Sequence, residues 1–156
     1  MKTLILYATK YGAAREIARR IAERTDGAVT HDLKQGGVPD LAGFGRVIIG
    51  SSVYAGMIRK EAKAFLAQNA AALSGKTLGL FLCGLDGSKE KEYFDANFPA
   101  DILRAAKAAS FLGGIFDPKK AGMFGRLVMK AVSKQAEYID KIDDGKIARF
   151  AEDMSS

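Results

Sequence analysis

The chain has 156 residues and carries 24 Lys and Arg against 18 Asp and Glu, a net charge of +6 at neutral pH. Its 48% hydrophobic and 27% charged residues are typical of an ordinary globular protein and exclude a disordered, collagen-like or low-complexity chain. The length fits one domain over residues 1–156. Cys83 and His31 are each the only residue of their type, which excludes an intrachain disulfide and a multi-cysteine metal site. The excess of basic residues favours an anionic partner, and the candidates are a phosphate ligand, a nucleic acid and a membrane surface.

The first third of the chain alternates strand and helix patterns. Residues 3–8 form a continuous apolar run, the pattern of a strand that is buried on both faces. A turn at residues 9–12 follows, and small and apolar residues then recur at helical spacing over residues 14–22. Residues 28–33 predict a second strand and residues 47–50 a third.

The rest of the chain continues this alternation. We predict a helix over residues 62–73, a fourth strand over 77–83, a helix near 101–109 and a fifth strand over 110–116, before a closing helix over 147–154. Apolar strands that alternate with helices predict an α/β fold, a doubly wound five-stranded parallel sheet with helices on both faces.

The N-terminal apolar run is about five residues long, which is too short for the core of a signal peptide. No later run approaches the roughly 20 apolar residues that span a bilayer. We therefore expect a cytoplasmic protein, with peripheral membrane contact as an open alternative.

Three segments follow strand ends, where open parallel sheets bind ligands, and they cover residues 9–14, 51–57 and 83–94. The first offers free backbone N–H groups, the Thr9 hydroxyl and the Lys10 charge to an anion. A plain strand–helix turn is the alternative interpretation. The segment lacks both the dinucleotide-binding glycine motif and the P-loop motif.

The second segment places one aromatic ring, Tyr54, between flexible glycines at positions 50 and 56. Such a ring can lie flat against a planar ligand while neighbouring backbone groups reach the ligand's edge. The alternative interpretation is that Tyr54 caps the core. Because residues 50–52 read Gly-Ser-Ser, the third strand lacks the acceptor Asp that a receiver domain needs at its end.

These residues carry a resemblance to a known family. The run Met1–Gly12 with the helix start at Arg15–Ala18 resembles the phosphate-loop region of flavodoxins, and Val47–Gly56 is similar to that family's second flavin loop. The resemblance implies a flavodoxin-like sheet of order 2-1-3-4-5, FMN as the cofactor, and transport of electrons between redox partners.

The resemblance also implies a role for each segment. The first would hold the FMN phosphate, the second would flank the isoalloxazine with Tyr54 stacked on it, and the third would approach the pyrimidine edge. The implied cofactor-binding residues are Thr9, Lys10, Tyr11, Gly12, Ala13, Ala14, Ser51, Ser52, Val53, Tyr54, Ala55, Gly56, Cys83, Gly84, Leu85 and Asp86. Ala13 and Ala14 replace the family's usual polar pair, which implies weaker binding of the phosphate. A backbone carbonyl near Gly56 is implied to accept a hydrogen bond from the reduced flavin after a peptide flip.

Much of the net charge lies in one segment, residues 119–134, where apolar residues at helical spacing predict a basic amphipathic helix. Such a helix can contact anionic lipid or a partner protein, and an ordinary helix packed on the sheet is the alternative. Its basic residues are Lys119, Lys120, Arg126, Lys130 and Lys134.

This basic segment and the closing helix resemble the menaquinone-linked protoporphyrinogen oxidase branch of the flavodoxin family. The alternative function is therefore that of an FMN-dependent, quinone-linked dehydrogenase, and a flavin-free signalling or adaptor domain is the third possibility. We expect no nucleic-acid partner, because no nucleic-acid-binding module accompanies the basic residues. His31 is expected to be a structural or surface residue, and Cys83 a small buried residue or a reactive thiol beside the flavin.

Overall fold

The computed structural model describes residues 1–117 and 138–156. The basic helix predicted over residues 119–134 lies outside the described residues. The strands are β1 (Thr3–Ala8), β2 (Val29–Asp32), β3 (Arg46–Tyr54), β4 (Met57–Ile58), β5 (Thr77–Cys83), β6 (Ala106–Phe111), β7 (Ile115–Phe116) and β8 (Ile139–Asp140). The helices are α1 (Ala13–Glu23), α2 (Lys60–Leu73), α3 (Glu90–Asn97), α4 (Ala100–Ala105) and α5 (Asp144–Ser155).

The central sheet has five parallel strands in the order β2-β1-β3-β5-β6. Counting these parallel strands alone gives the predicted order 2-1-3-4-5, so the doubly wound α/β fold is confirmed. The short strand β4 adds to β3 as an antiparallel hairpin, and β7 pairs with β8 in a separate two-stranded sheet.

Alternate residues of each central strand face opposite sides of the sheet, because successive side chains of a strand point in opposite directions. On β1, Leu4 and Leu6 belong to the core cluster that packs against α2 and α3, whereas Ile5 and Tyr7 belong to the cluster under α1 and α5. All six residues of β1 are buried. The continuous apolar run of this strand is therefore explained by helices on both faces.

The segment between α4 and β6 differs from the sequence prediction. The helix predicted near residues 101–109 ends at Ala105, and the next strand begins at Ala106 rather than at residue 110. Alanine favours helix by its intrinsic propensity, but this propensity is a weak preference that tertiary contacts override. Here the strand pairs with Leu78–Leu82 of β5, and that pairing decides the local structure.

The predicted fifth strand over residues 110–116 was also wrong at its end, since β6 stops at Phe111. Gly113 has a φ of +91°, and a Cβ atom there would lie 1.9 Å from the carbonyl oxygen of Lys141. Only glycine allows this conformation and this close approach. The chain therefore leaves the central sheet, and the residues after the turn form β7 against β8.

Among the described residues, no helix is long and apolar enough to cross a membrane.

Gly50 on β3 gives a test of how tightly the two sides of the sheet are packed. An added Cβ atom at Gly50 would lie 2.0 Å from Cζ of the fully buried Phe81. We expect Gly50→Ala to lower the free energy of unfolding by about 1–3 kcal/mol through overpacking, as measured by urea titration. Gly43 is the matched control, because it is exposed and an added Cβ atom meets nothing within 4 Å. An equal loss of unfolding free energy in Gly50→Ala and Gly43→Ala would contradict the explanation by overpacking.

Candidate functional site

A cavity of about 340 Å³ opens at the carboxyl ends of β1, β3, β5 and β6. This volume lies within the roughly 300–1,000 Å³ that is usual for small-molecule sites, and the location is the one expected for a ligand of an open parallel sheet. The cavity is lined by Lys10, Tyr11, Ala13, Ser52, Val53, Tyr54, Ala55, Gly56, Cys83, Gly84, Leu85, Asp86, Tyr93, Phe111, Ile115 and Phe116. Most of the residues predicted from the sequence are therefore brought together in one place.

Four of the predicted residues do not line the cavity, and three of them belong to the loop between β1 and α1 or to the first turn of α1. The Thr9 hydroxyl accepts a hydrogen bond from the backbone N–H of Gly12 at 2.8 Å. Gly12 has a φ of +101° and precedes α1 without any side-chain cap. Ala14 is fully buried under the helix. Thr9 and Gly12 thus shape the loop, and Ala14 packs α1 onto the sheet.

Ser51 is the fourth predicted residue outside the cavity lining. Because β3 continues to Tyr54, four residues beyond the predicted end of the strand, Ser51 is a buried sheet residue. Its hydroxyl donates to the carbonyl of Ser52 and accepts from the backbone N–H of Arg59, each at 2.9 Å. Both contacts are internal, so Ser51 fixes the start of α2 relative to β3.

Lys10 connects the first loop with β3 and with the aromatic side chains of the cavity. Its backbone N–H donates to the Ser52 hydroxyl at 3.1 Å. Its Nζ lies 3.3 Å from the ring centroid of Tyr54 and 5.4 Å from that of Tyr11, which is within the range of cation–π attraction. Tyr54 is 40% exposed, so it does not cap the core.

The second loop is a two-residue hairpin turn between β3 and β4, in which Tyr54 pairs with Met57. The central residues, Ala55 and Gly56, have φ values of +51° and +76°, as a type I′ turn requires. A left-handed conformation costs a non-glycine residue roughly 1–2 kcal/mol. The turn is held from outside by Asn97, whose side-chain amide donates to the carbonyl of Gly56 at 2.9 Å.

The third loop is ordered by Asp86. Its carboxylate accepts hydrogen bonds from the hydroxyl of Ser88 at 2.6 Å and from the backbone N–H of Ser88 at 3.0 Å, and these bonds lower the pKa of Asp86. Nearby, Gly84 donates to the carbonyl of Gly113 at 2.9 Å. An added Cβ atom at Gly114 would lie 2.4 Å from the carbonyl oxygen of Gly84, so glycine at this position lets the two loops meet.

Sequence reasoning missed four residues of the cavity wall, namely Tyr93, Phe111, Ile115 and Phe116. The rings of Tyr93 and Phe111 lie 6.4 Å apart, and the backbone N–H of Phe111 donates to the Glu90 carboxylate at 2.9 Å. The signal that could have found Phe111 is its position at the end of the fifth parallel strand. It was hidden because the strand was predicted to continue to Phe116.

Cys83 lines the cavity but is fully buried at the end of β5, and its Sγ lies 3.8 Å from the carbonyl oxygen of Ser51. Burial raises the pKa of the Cys83 thiol to about 12. Since only the thiolate is strongly nucleophilic, this geometry favours an inert buried residue over the reactive thiol.

We expect the native protein to react negligibly with a thiol-specific disulfide reagent at pH 8. Raising the pH to 9 should leave the rate nearly unchanged, because the folded thiol titrates near pH 12 and a free cysteine near 8.5. Urea-unfolded protein is the control, and its one free thiol should react completely. Native labelling that rises with a midpoint near pH 8.5 would contradict this prediction.

Known proteins share this architecture. A flavodoxin domain family model matches residues 4–143, and no curated protein matches the sequence. The solved structure of oxidised flavodoxin 2 from Bacillus cereus is 19% identical with a TM-score of 0.64, covering 99% of this chain and 98% of that one. Fusobacterium nucleatum flavodoxin bound to flavin mononucleotide is 14% identical with a TM-score of 0.58, covering 99% and 96%.

The fold also occurs inside a larger protein. The match to the rubredoxin oxygen:oxidoreductase from Desulfovibrio gigas covers 99% of this chain but only 37% of that protein, at 14% identity and a TM-score of 0.50. Identities this low show a common fold and nothing finer. The family model, in contrast, spans most of the sequence, and this chain therefore belongs to the flavodoxin domain family.

Proposed function

We propose that this protein binds FMN non-covalently in the cavity at the carboxyl edge of the sheet and carries electrons between redox partners. The observation that carries the proposal is the composition of the cavity: aromatic side chains line it, and it adjoins the uncapped start of α1. Membership of the flavodoxin domain family supports the same cofactor.

The start of α1 suits the phosphate group of FMN. The first backbone N–H groups of a helix have no intrahelical acceptor, and no side chain caps them at Gly12. Together with the helix dipole, these donors form an anion site. Ala13 offers no hydroxyl here, and Lys10 is the cationic side chain among the described residues of the cavity wall.

The aromatic walls suit the flat ring system. Tyr54 and Tyr93 line the cavity with aromatic rings, and Val53 and Leu85 add apolar surface. Tyr54 and Met57 leave 40% and 48% of their surface exposed on the same hairpin. This apolar tip gives a redox partner a contact beside the cavity, which favours the carrier function.

When bound, FMN supplies the electron-transfer chemistry, and the protein supplies orientation and electrostatics. The chain's own contributions follow from its groups. Lys10 places a positive charge between two tyrosine rings, and such a charge attracts an anionic or electron-rich ring. Asp86 places a negative charge in the third loop. The balance of these two side chains therefore adjusts the electrostatic potential in the cavity.

The proposal is tested by FMN titration of the flavin-free protein, with quenching of flavin fluorescence as the measurement. We expect one FMN per chain, and a Kd that rises about 2- to 12-fold in Tyr54→Ala, because an aromatic stacking contact contributes about 0.5–1.5 kcal/mol. Met57→Ala is the matched control, since Met57 is exposed on the same hairpin but does not line the cavity. Absence of binding by the unmodified protein would refute the proposal.

The second candidate function is that of a quinone-linked dehydrogenase of the protoporphyrinogen oxidase type. It rests on the sequence of residues 119–134, which lie outside the described residues, whereas the exposed hairpin favours the carrier. We expect FMN-loaded protein to be reduced by a ferredoxin reductase and to show no turnover with protoporphyrinogen and a menaquinone analogue. Sustained porphyrin formation, followed by its absorbance, would instead establish the enzyme.

A further inference from the structure

Helix α3 contacts the cavity wall at three points along its eight residues. Glu90 at its start accepts from the backbone N–H of Phe111 at 2.9 Å. Tyr93 in its middle lines the cavity. Asn97 at its end donates to the carbonyl of Gly56 in the hairpin turn. The end of β6 and the hairpin are thus positioned by one element, which also supplies Tyr93 to the cavity.

Asn97 makes the most directional of these contacts. Its Nδ2 donates to the carbonyl of Tyr93 at 2.8 Å and to the carbonyl of Gly56 at 2.9 Å, and its Oδ1 accepts from the backbone N–H of Ile58 at 3.0 Å. The bond to Tyr93 is an ordinary contact within one helix. The other two hold Gly56 in the turn after β3 and Ile58 in β4, about 40 residues away in the sequence.

The Gly56 carbonyl is the group on which this contact acts. Gly56 lines the cavity, and an added Cβ atom there would meet nothing within 4 Å. Glycine in open space can change its backbone angles at little cost. The hydrogen bond from Asn97 therefore opposes any reorientation of this carbonyl, and a reorientation that offers the oxygen to a ligand N–H group has to break that bond.

We propose that Asn97 is a positioning residue that sets the preference of the cavity between oxidised and reduced FMN, an inference that rests on the proposed function. Reduction of FMN by two electrons and two protons gives the ring N–H donors that the oxidised ring lacks. Because Asn97 already occupies the Gly56 carbonyl, it disfavours the state with the additional donor. Removing the Asn97 donor releases the carbonyl and strengthens binding of reduced FMN relative to oxidised FMN.

The test uses Asn97→Asp, which keeps the acceptor for Ile58 but loses both donors, and Asn97→Leu, which is uncharged. The matched control is Asn69→Asp. Asn69 donates to the carbonyl of Phe65 at 2.9 Å, the same kind of contact within a helix, and within residues 1–117 and 138–156 this amide donates to no loop. The Kd of each variant is measured for oxidised FMN and for FMN reduced with excess dithionite under anaerobic conditions.

We expect the ratio of the oxidised to the reduced Kd to rise about 2- to 12-fold in both Asn97 variants, the equilibrium effect of one neutral hydrogen bond. The ratio should be unchanged in Asn69→Asp. The new carboxylate of Asn97→Asp would by itself weaken binding of the electron-rich reduced ring and lower the ratio of the two Kd values. A rise of this ratio in Asn97→Asp therefore comes from the lost donor. Because binding and reduction of the flavin are thermodynamically linked, a higher ratio of the oxidised to the reduced Kd also raises the midpoint potential of the bound flavin.

The outcomes separate this inference from the proposed function. If the unmodified protein fails to bind FMN, the proposed function fails and this inference fails with it. If FMN binds but both Kd values of the Asn97 variants change by the same factor, Asn97 has only a structural role and this inference alone is overturned. A fall of the ratio in Asn97→Leu also overturns it.

Discussion

The constraint on which the rest of the structure depends is the burial of the central strands on both faces of the sheet. Every residue of β1 and all but the first of β5 are buried, and their backbone groups are paired with neighbouring strands. An interior of this kind leaves no room for polar chemistry within the sheet. Ligand-binding groups must therefore come from the loops that leave the strands, and parallel strands bring those loops together at one edge.

The parts of the fold that follow from this constraint could be predicted from the sequence. Continuous apolar runs identify the buried strands, and helical spacing identifies α1 and α5 by their buried faces. The end of β6 could not be predicted in this way, because it depends on the approach of Gly113 to Lys141 from a distant part of the chain. Asn97 was missed for the same reason: its bonds to the hairpin are long-range, and no sequence motif accompanies them.

The location of the basic residues in the sequence is more informative than the net charge of +6. Residues 119–134 hold five of the 24 Lys and Arg and lie outside the described residues. Of the described residues that line the cavity, Lys10 is the basic side chain and Asp86 the acidic one. In the proposed FMN site, a phosphate group at the start of α1 would therefore depend mainly on backbone donors and the helix dipole, with Lys10 as the cationic side chain of the described wall.

The hairpin formed by β3 and β4 joins binding and partner contact in one element. Tyr54 and Gly56 line the cavity, and Met57, which pairs with Tyr54, is exposed beside it. In the proposed function, a partner that contacts Met57 acts on the hairpin whose two-residue turn Asn97 holds in place. Because a two-residue turn has few independent torsions, a displacement of the hairpin also moves the Gly56 carbonyl that accepts from Asn97. In the proposed function, partner contact at Met57 and the redox preference set by Asn97 therefore act on the same turn, and α3, whose last residue is Asn97, supports that turn through the bonds to Gly56 and Ile58.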